Sequence, residues 1–164
     1  DASKANGGIL TKEDFAAYSI QEAAPVRCNY RGYELISSPP PSSGGTALCQ
    51  ILNIVEGYPI AEYGFHSAAS VHVMAEAMRH TFVDRNFQLG DPDFVKVPLA
   101  EMLDTKYVAK RMSGIDPKHA TPSSEIGAGL KRAQVRAVDR ERFESLVGRD
   151  EPGKVALMRQ GYEG

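Results

Sequence analysis

Tryptophan is missing from this 164-residue chain, and cysteine occurs only at Cys28 and Cys49. The first absence decides little. The second leaves no C-x-x-C pair, so cysteine supplies neither a zinc ribbon nor a dithiol redox motif. Cys28 lies in a predicted strand and Cys49 in a predicted helix. They are read as two packed, unpaired thiols rather than a disulfide, which leaves the compartment unassigned. No apolar run approaches the roughly 18 residues a membrane span needs. The opening Asp1-Ala2-Ser3-Lys4-Ala5-Asn6 has no apolar signal core. An excess of one charge sign is lacking too: the net charge is −2, so nothing attracts nucleic acid or an anionic membrane. No internal repeat is visible. With 42% hydrophobic and 24% charged residues, the composition is that of one globular domain or a large piece of one.

Proline and glycine are abundant where they matter. Pro39-Pro40-Pro41-Ser42-Ser43-Gly44-Gly45 runs into Thr46-Ala47-Leu48-Cys49-Gln50-Ile51-Leu52-Asn53-Ile54-Val55-Glu56-Gly57. Prolines fix φ and donate no N–H, so the start is a rigid loop. Ser42 and Ser43 are predicted to cap the helix that follows. Ala47, Leu48, Ile51, Leu52 and Val55 form its predicted buried face, and Gly57 closes it. Upstream, Thr11-Lys12-Glu13-Asp14 is a capping-box variant opening a short helix, with Phe15, Ala16 and Tyr18 as apolar contacts. Val26–Tyr30 and Tyr33–Ser37 flank Arg31-Gly32 as a β-hairpin. Downstream, Ser67 caps a helix over residues 68–89 whose apolar stripe is Val71, Met74, Ala75, Met78, Phe82 and Leu89. Pro98 starts a turn carrying Leu99, Met102 and Leu103. Asp104 caps another carrying Tyr107, Val108, Arg111 and Met112. Residues 114–129 read as loop. From Gly127 onward there are eight Lys or Arg against six Asp or Glu, and Val135, Val138, Phe143, Leu146 and Val147 allow one amphipathic helix there. The fold class expected is α+β, helix-rich, with several helices and one hairpin.

Few constellations carry chemistry. His72, Glu76, His80 and Asp84 recur every fourth residue, a spacing a transition metal can use. They do not form His-Glu-x-x-His, so they are read as a polar stripe opposite the apolar one, and no metal or cofactor is assigned. Asp84-Arg85, before Leu89-Gly90-Asp91-Pro92, is read as an ion pair fixing the helix exit. Ser42 and Ser43 lack a Gly-x-Ser-x-Gly elbow. Gly44-Gly45 lacks the lysine of a phosphate loop. His66 and His119 have no partner at a readable spacing. The residues alone therefore give a scaffold without a self-sufficient catalytic set.

Several stretches together resemble the C-terminal part of the large subunit of a γ-glutamyltranspeptidase (glutathione hydrolase). They are Asn6 to Phe15, Tyr30-Arg31-Gly32-Tyr33, Pro39 to Gly45 with Gln50 to Ile54, Asp84-Arg85 with Leu89 to Phe94, and Pro122-Ser123-Ser124-Glu125-Ile126. The resemblance covers residues 6 to 130 in consistent order, so residues 1–130 are assigned to that region. Residues 131–164 are expected to be a charged tail toward the self-cleavage junction, whose approach Gly161-Tyr162-Glu163-Gly164 resembles.

The resemblance implies a fragment of an N-terminal nucleophile hydrolase with an αββα fold. Such a precursor cuts itself to expose a threonine, whose hydroxyl, activated by its own α-amino group, attacks a γ-glutamyl carbonyl. Hydrolysis or transfer to an amino acid or peptide follows. The nucleophile, the oxyanion glycines and the carboxylate-holding arginine belong to segments not matched here. Thr11, Thr46, Thr81, Thr105 and Thr121 have no claim to the role. No catalytic residue is assigned, the substrate-binding residues stay unknown, and the chain alone is expected to be inactive. Its expected partners are the rest of the large subunit and the small subunit, with a γ-glutamyl small molecule as substrate. Exposed apolar surface, and with it dimerisation of the isolated piece, is expected. Periplasmic or secreted location is implied by resemblance only. A cephalosporin or glutaryl acylase of the same superfamily is the alternative enzyme, and a non-catalytic helical interaction module the alternative class.

Overall fold

The computed structural model describes residues 2–131; the expected helix over Val135 to Val147 lies outside them. Helices α1 (Ala2–Ala5) and α2 (Lys12–Ala17) come first. The predicted capping box is present: Thr11 Oγ1 accepts from Asp14 N, and Asp14 Oδ2 accepts from Thr11 N at 2.7 Å. Phe15 and Tyr18, expected to pack, are exposed instead. A helix this short, with no buried residue, has no second layer to pack on among the described residues.

Strands β1 (Val26–Tyr30) and β2 (Tyr33–Ser37) pair antiparallel with Val26 opposite Ser37 and Tyr30 opposite Tyr33. The turn between them needs positive φ twice, and Arg31 (50°) and Gly32 (86°) supply it. Asn29 Oδ1 accepts from Gly32 N at 3.0 Å, and Glu56 Oε1 accepts from Arg31 N at 2.8 Å, which ties the turn to the end of the next helix. Alternation turns Val26, Cys28 and Tyr30 inward.

That next helix, α3 (Gly44–Glu56), packs on the hairpin, on α5 (Ala68–Gln88) and on α7 (Thr105–Met112). The short α4 (Ile60–Tyr63) and α6 (Leu99–Met102) and a 3-10 turn at Ser123–Glu125 complete the order. Ser67, Asp104 and Gly57 cap as predicted. The apolar core is Ile54, Val55, Ala77, Val108 and Ile115, flanked by Ile51, Tyr58, Ile60 and Met112.

Three expectations are corrected here. Cys28 and Cys49 form a disulfide with Cα atoms 5.9 Å apart. Strand alternation turns Cys28 toward α3, whose buried Cys49 faces it; the linear spacing of the two carried no trace of this. The buried face of α3 is rotated from the predicted one, with Gly45, Thr46, Ala47, Cys49, Gln50, Ile54 and Val55 inside and Leu48 42% exposed. The third is the largest. The predicted apolar stripe of α5 faces out, with Val71, Met74, Met78 and Phe82 between 43% and 52% exposed, while Ser70, Glu76, His80, Thr81, Asp84 and Gln88 are buried.

Candidate functional site

The inward polar stripe of α5 organises the site. Asp84 is fully buried and sits between α3, α7 and the loop leaving α7. Arg111, buried on α7, approaches it side-on: Nε donates to Oδ2 at 2.9 Å and Nη2 to Oδ1. Gln50 Nε2 from α3 donates to Oδ2 at 2.7 Å, and Gly129 N to Oδ1 at 3.4 Å. Arg111 also meets the Tyr107 hydroxyl through Nε at 3.1 Å and donates through Nη1 to Gly127 O at 2.8 Å. Two-point guanidinium–carboxylate contact fixes direction as well as distance. Burial alone would lower the Arg111 pKa, but Asp84 reverses that and raises it. Burial, then Asp84, pushes the Tyr107 phenol well above its usual value, so it stays neutral. Asp84 therefore pairs with Arg111, not with Arg85 as expected. One residue, a step of roughly 100° around the helix, separates inside from outside, and Arg85 lies out, donating to Ser43 Oγ and Asn86 Oδ1 at 3.0 Å each.

The rest of the stripe is occupied by the loop that follows α7. His72 Nε2 donates to Asp116 O at 2.7 Å, Glu76 Oε1 accepts from Thr121 N at 3.4 Å, and Gln88 Nε2 donates to Leu130 O at 3.2 Å. Arg79, paired with Glu76, also donates to Ser123 Oγ at 2.9 Å. Burial would raise the Glu76 pKa, but bonds from Thr121 and Arg79 outweigh it and lower it. His80 is buried beside Gly114; burial, then Arg111, lowers its pKa against the pull of Glu76 and Asp84. Among the described residues no group of three His, Cys, Asp or Glu is placed to hold one metal ion. Of the four residues at that spacing, His72, Glu76 and Asp84 bond the loop backbone, while His80 is buried without a hydrogen-bond partner among the described residues.

The proline loop is corrected as well. Ser43 stands at the N-cap of α3 but makes no side-chain cap bond; its hydroxyl takes the Arg85 proton donor. Ser42 Oγ accepts from Gly44 N at 3.4 Å. Pro41, Ser43, Arg85, Asn86, Leu89 and Gly90 line an open cleft of about 320 Å³. Among the described residues neither serine hydrogen-bonds a histidine: His66 is stacked on Phe65 and His119 paired with Asp116 at 3.1 Å. That second pairing, three residues apart, was available in the sequence and was missed. Also missed were Gln50, Gln88 and Gly129. Their only signal is a polar residue inside an apolar run, or a glycine in a loop. Tyr107 and Arg111, at i and i+4, gave a stronger one.

No described helix is long and apolar enough to cross a membrane. The profile of the family described as Gamma-glutamyltranspeptidase matches residues 1–144. The chain is 57% identical over 127 residues to the glutathione hydrolase proenzyme of Pseudomonas sp. (strain A14), covering 77% of this chain and 22% of that one. It is 46% identical over 120 residues to the acylase ACY 1 proenzyme of Pseudomonas sp. (strain SE83), covering 73% and 22%. Among solved structures it resembles the Helicobacter pylori gamma-glutamyltranspeptidase, with a TM-score of 0.75 and 45% identity over 78% of this chain and 37% of that one. The chain thus spans about a fifth of the length of the curated relatives it matches.

Proposed function

The chain belongs to the gamma-glutamyltranspeptidase family, and on that premise we propose that it is a large-subunit portion of an enzyme that cleaves γ-glutamyl amides such as glutathione. The observation that carries this is the match to a glutathione hydrolase proenzyme. The reaction is hydrolysis or acyl transfer through a threonine outside this chain, its hydroxyl activated by its own α-amino group and its oxyanion held by donors on the same outside segment. The described residues contribute framework: α3 and α5 crossing at Asp84, and the cleft at the start of α3. The whole protein has the αββα fold, to which this part adds helices and one hairpin, and residues 131–164 lead to the self-cleavage junction. Its partners are the remaining large-subunit segment and the small subunit. The outward Val71, Met74, Met78 and Phe82 support that reading, since a contiguous apolar face is what a partner covers. The same face makes the isolated piece prone to dimerise. Export to the periplasm or beyond is supported by the Cys28–Cys49 disulfide, a bond that persists in oxidising compartments.

The acylase relative favours a second reading, a glutaryl or cephalosporin acylase of the same superfamily. One assay separates them. The full-length processed protein is offered γ-glutamyl-p-nitroanilide and a glutaryl-cephalosporin, with the 164-residue chain in parallel. Turnover of the first by the full protein alone is expected. Turnover only of the second transfers the assignment to the acylases, and turnover by the 164-residue chain overturns the fragment reading.

A further inference from the structure

The seam between α3 and α5 holds four polar side chains sealed from solvent. Thr46 and Gln50 come from α3, Thr81 and Gln88 from α5, and none is more than 1% exposed. Gln50 bonds Asp84, so the two helices meet at that level. Thr46 lies one turn from Gln50 on the same face of α3, and Thr81 and Gln88 lie one turn to either side of Asp84 on α5. Each glutamine amide has only one way round. Gln50 Nε2 donates to the Asp84 carboxylate at 2.7 Å and Gln88 Nε2 to Leu130 O at 3.2 Å, and both partners are acceptors. Each amide nitrogen is therefore fixed, and each amide oxygen points elsewhere. Among the described residues, Gln50 Oε1, Gln88 Oε1, Thr46 Oγ1 and Thr81 Oγ1 have no hydrogen-bond partner. Leaving such a group buried and unbonded costs more than one bond contributes, so four in one seam call for something that bonds them.

We propose that buried water bridges α3 and α5 in this seam, one molecule or two in contact, bonded to Gln50 Oε1, Gln88 Oε1 and the hydroxyls of Thr46 and Thr81. The donor and acceptor complement fits. Water brings protons, which the two carbonyls need, and lone pairs, which the two hydroxyls need. The reach fits as well. A water bonded to two oxygens at about 2.8 Å joins groups up to about 5.6 Å apart, close to one turn of helix. A cation would suit the oxygens but not the charge, because Arg111 already neutralises Asp84. Water held by two to four buried polar groups is part of a fold rather than passing solvent. Here it joins the first turn of α3 to the last turn of α5 and extends the Asp84 network in both directions. The inference concerns the framework and stands whether or not the enzyme reading does.

The test uses the full-length protein. A crystal structure at a resolution that shows ordered water should contain a peak within about 3.2 Å of Gln50 Oε1 or Gln88 Oε1 that refines as water. Thr46→Val and Thr81→Val ask the same question in solution, and the sign of the effect answers it. Valine keeps the shape of threonine and deletes the hydroxyl, and neither hydroxyl bonds another protein group among the described residues. In a dry seam, exchanging an unbonded hydroxyl for a methyl raises the Tm. In a wet seam the water loses a partner, and each substitution should lower the Tm by about 1–4 °C. The inference holds if the peak is present and both variants melt lower. It fails if the seam is dry, if the carbonyls bond the two hydroxyls directly, or if either variant melts at or above the wild-type temperature.

Discussion

The hairpin side of the molecule and the α5 side are held by opposite means. On the hairpin side, β1 and β2 pair through their backbones, the turn is pinned by Glu56, and a disulfide joins strand to helix. On the α5 side, a buried carboxylate, a buried guanidinium and two glutamines tie helices to one another and to a loop. The first kind of attachment depends on local geometry and one covalent bond. The second depends on every partner being present, since an ionic group buried without its partner is costly. Apart from its two cysteines, the hairpin side therefore tolerates side-chain change, and the α5 side does not.

The largest effect that would sharpen this contrast is at Arg111. Arg111→Ala strands the carboxylate of Asp84 in the interior and is expected to cost about 3–5 kcal/mol in urea unfolding, enough to abolish a cooperative transition in a marginal chain. Replacing Asp84 and Arg111 together by leucine should recover at least half of the loss, because no charge is then left alone. A single substitution costing under about 1 kcal/mol would break the comparison, placing the pair with ordinary surface salt bridges. Next comes the disulfide. Reduction, or Cys28→Ser with Cys49→Ser, should lower stability by about 2–4 kcal/mol for a loop of this length, and reductant should leave the double variant unmoved. Equal urea midpoints for oxidised and reduced protein would show that the hairpin side stands without its covalent bond.

The smallest effect concerns His80. Burial, then Arg111, sets its folded pKa below the ordinary 6.5, while Glu76 and Asp84 pull it up and Arg79 down. As pH falls, the unfolded chain takes the proton first, so this contribution is complete above pH 6.5 and is lost as pH drops through the folded value. His80→Gln should flatten the urea midpoint between pH 7.5 and 5.5. A slope unchanged by that substitution would assign the acid sensitivity to other groups.

Local features were legible in the sequence, and long-range ones were not. Thr11, Ser67 and Asp104 act through the next three residues, and Arg31-Gly32 through its own φ angles, so their roles could be read without a fold. Periodicity along α5 revealed two faces but not which is inside. The default that apolar means buried failed because the carboxylates and amides of the polar face have partners 27 to 45 residues away. The same distance hid Arg111 as the partner of Asp84, while adjacent Arg85 looked the obvious choice. Cys28 and Cys49, 21 residues apart, illustrate it again: their meeting depends on strand alternation and helix docking together. The family was legible because the resemblance rests on the order of several motifs and needs no knowledge of which face is buried.

One bond has a consequence for how the molecule survives damage. Cys28 and Cys49 bracket the whole stretch containing β2 and the exposed tip at Pro41 and Ser42. A protease nick at that tip would create two new chain ends yet release nothing, since both halves stay joined through sulfur. The cut would change the number of chains without changing the number of molecules.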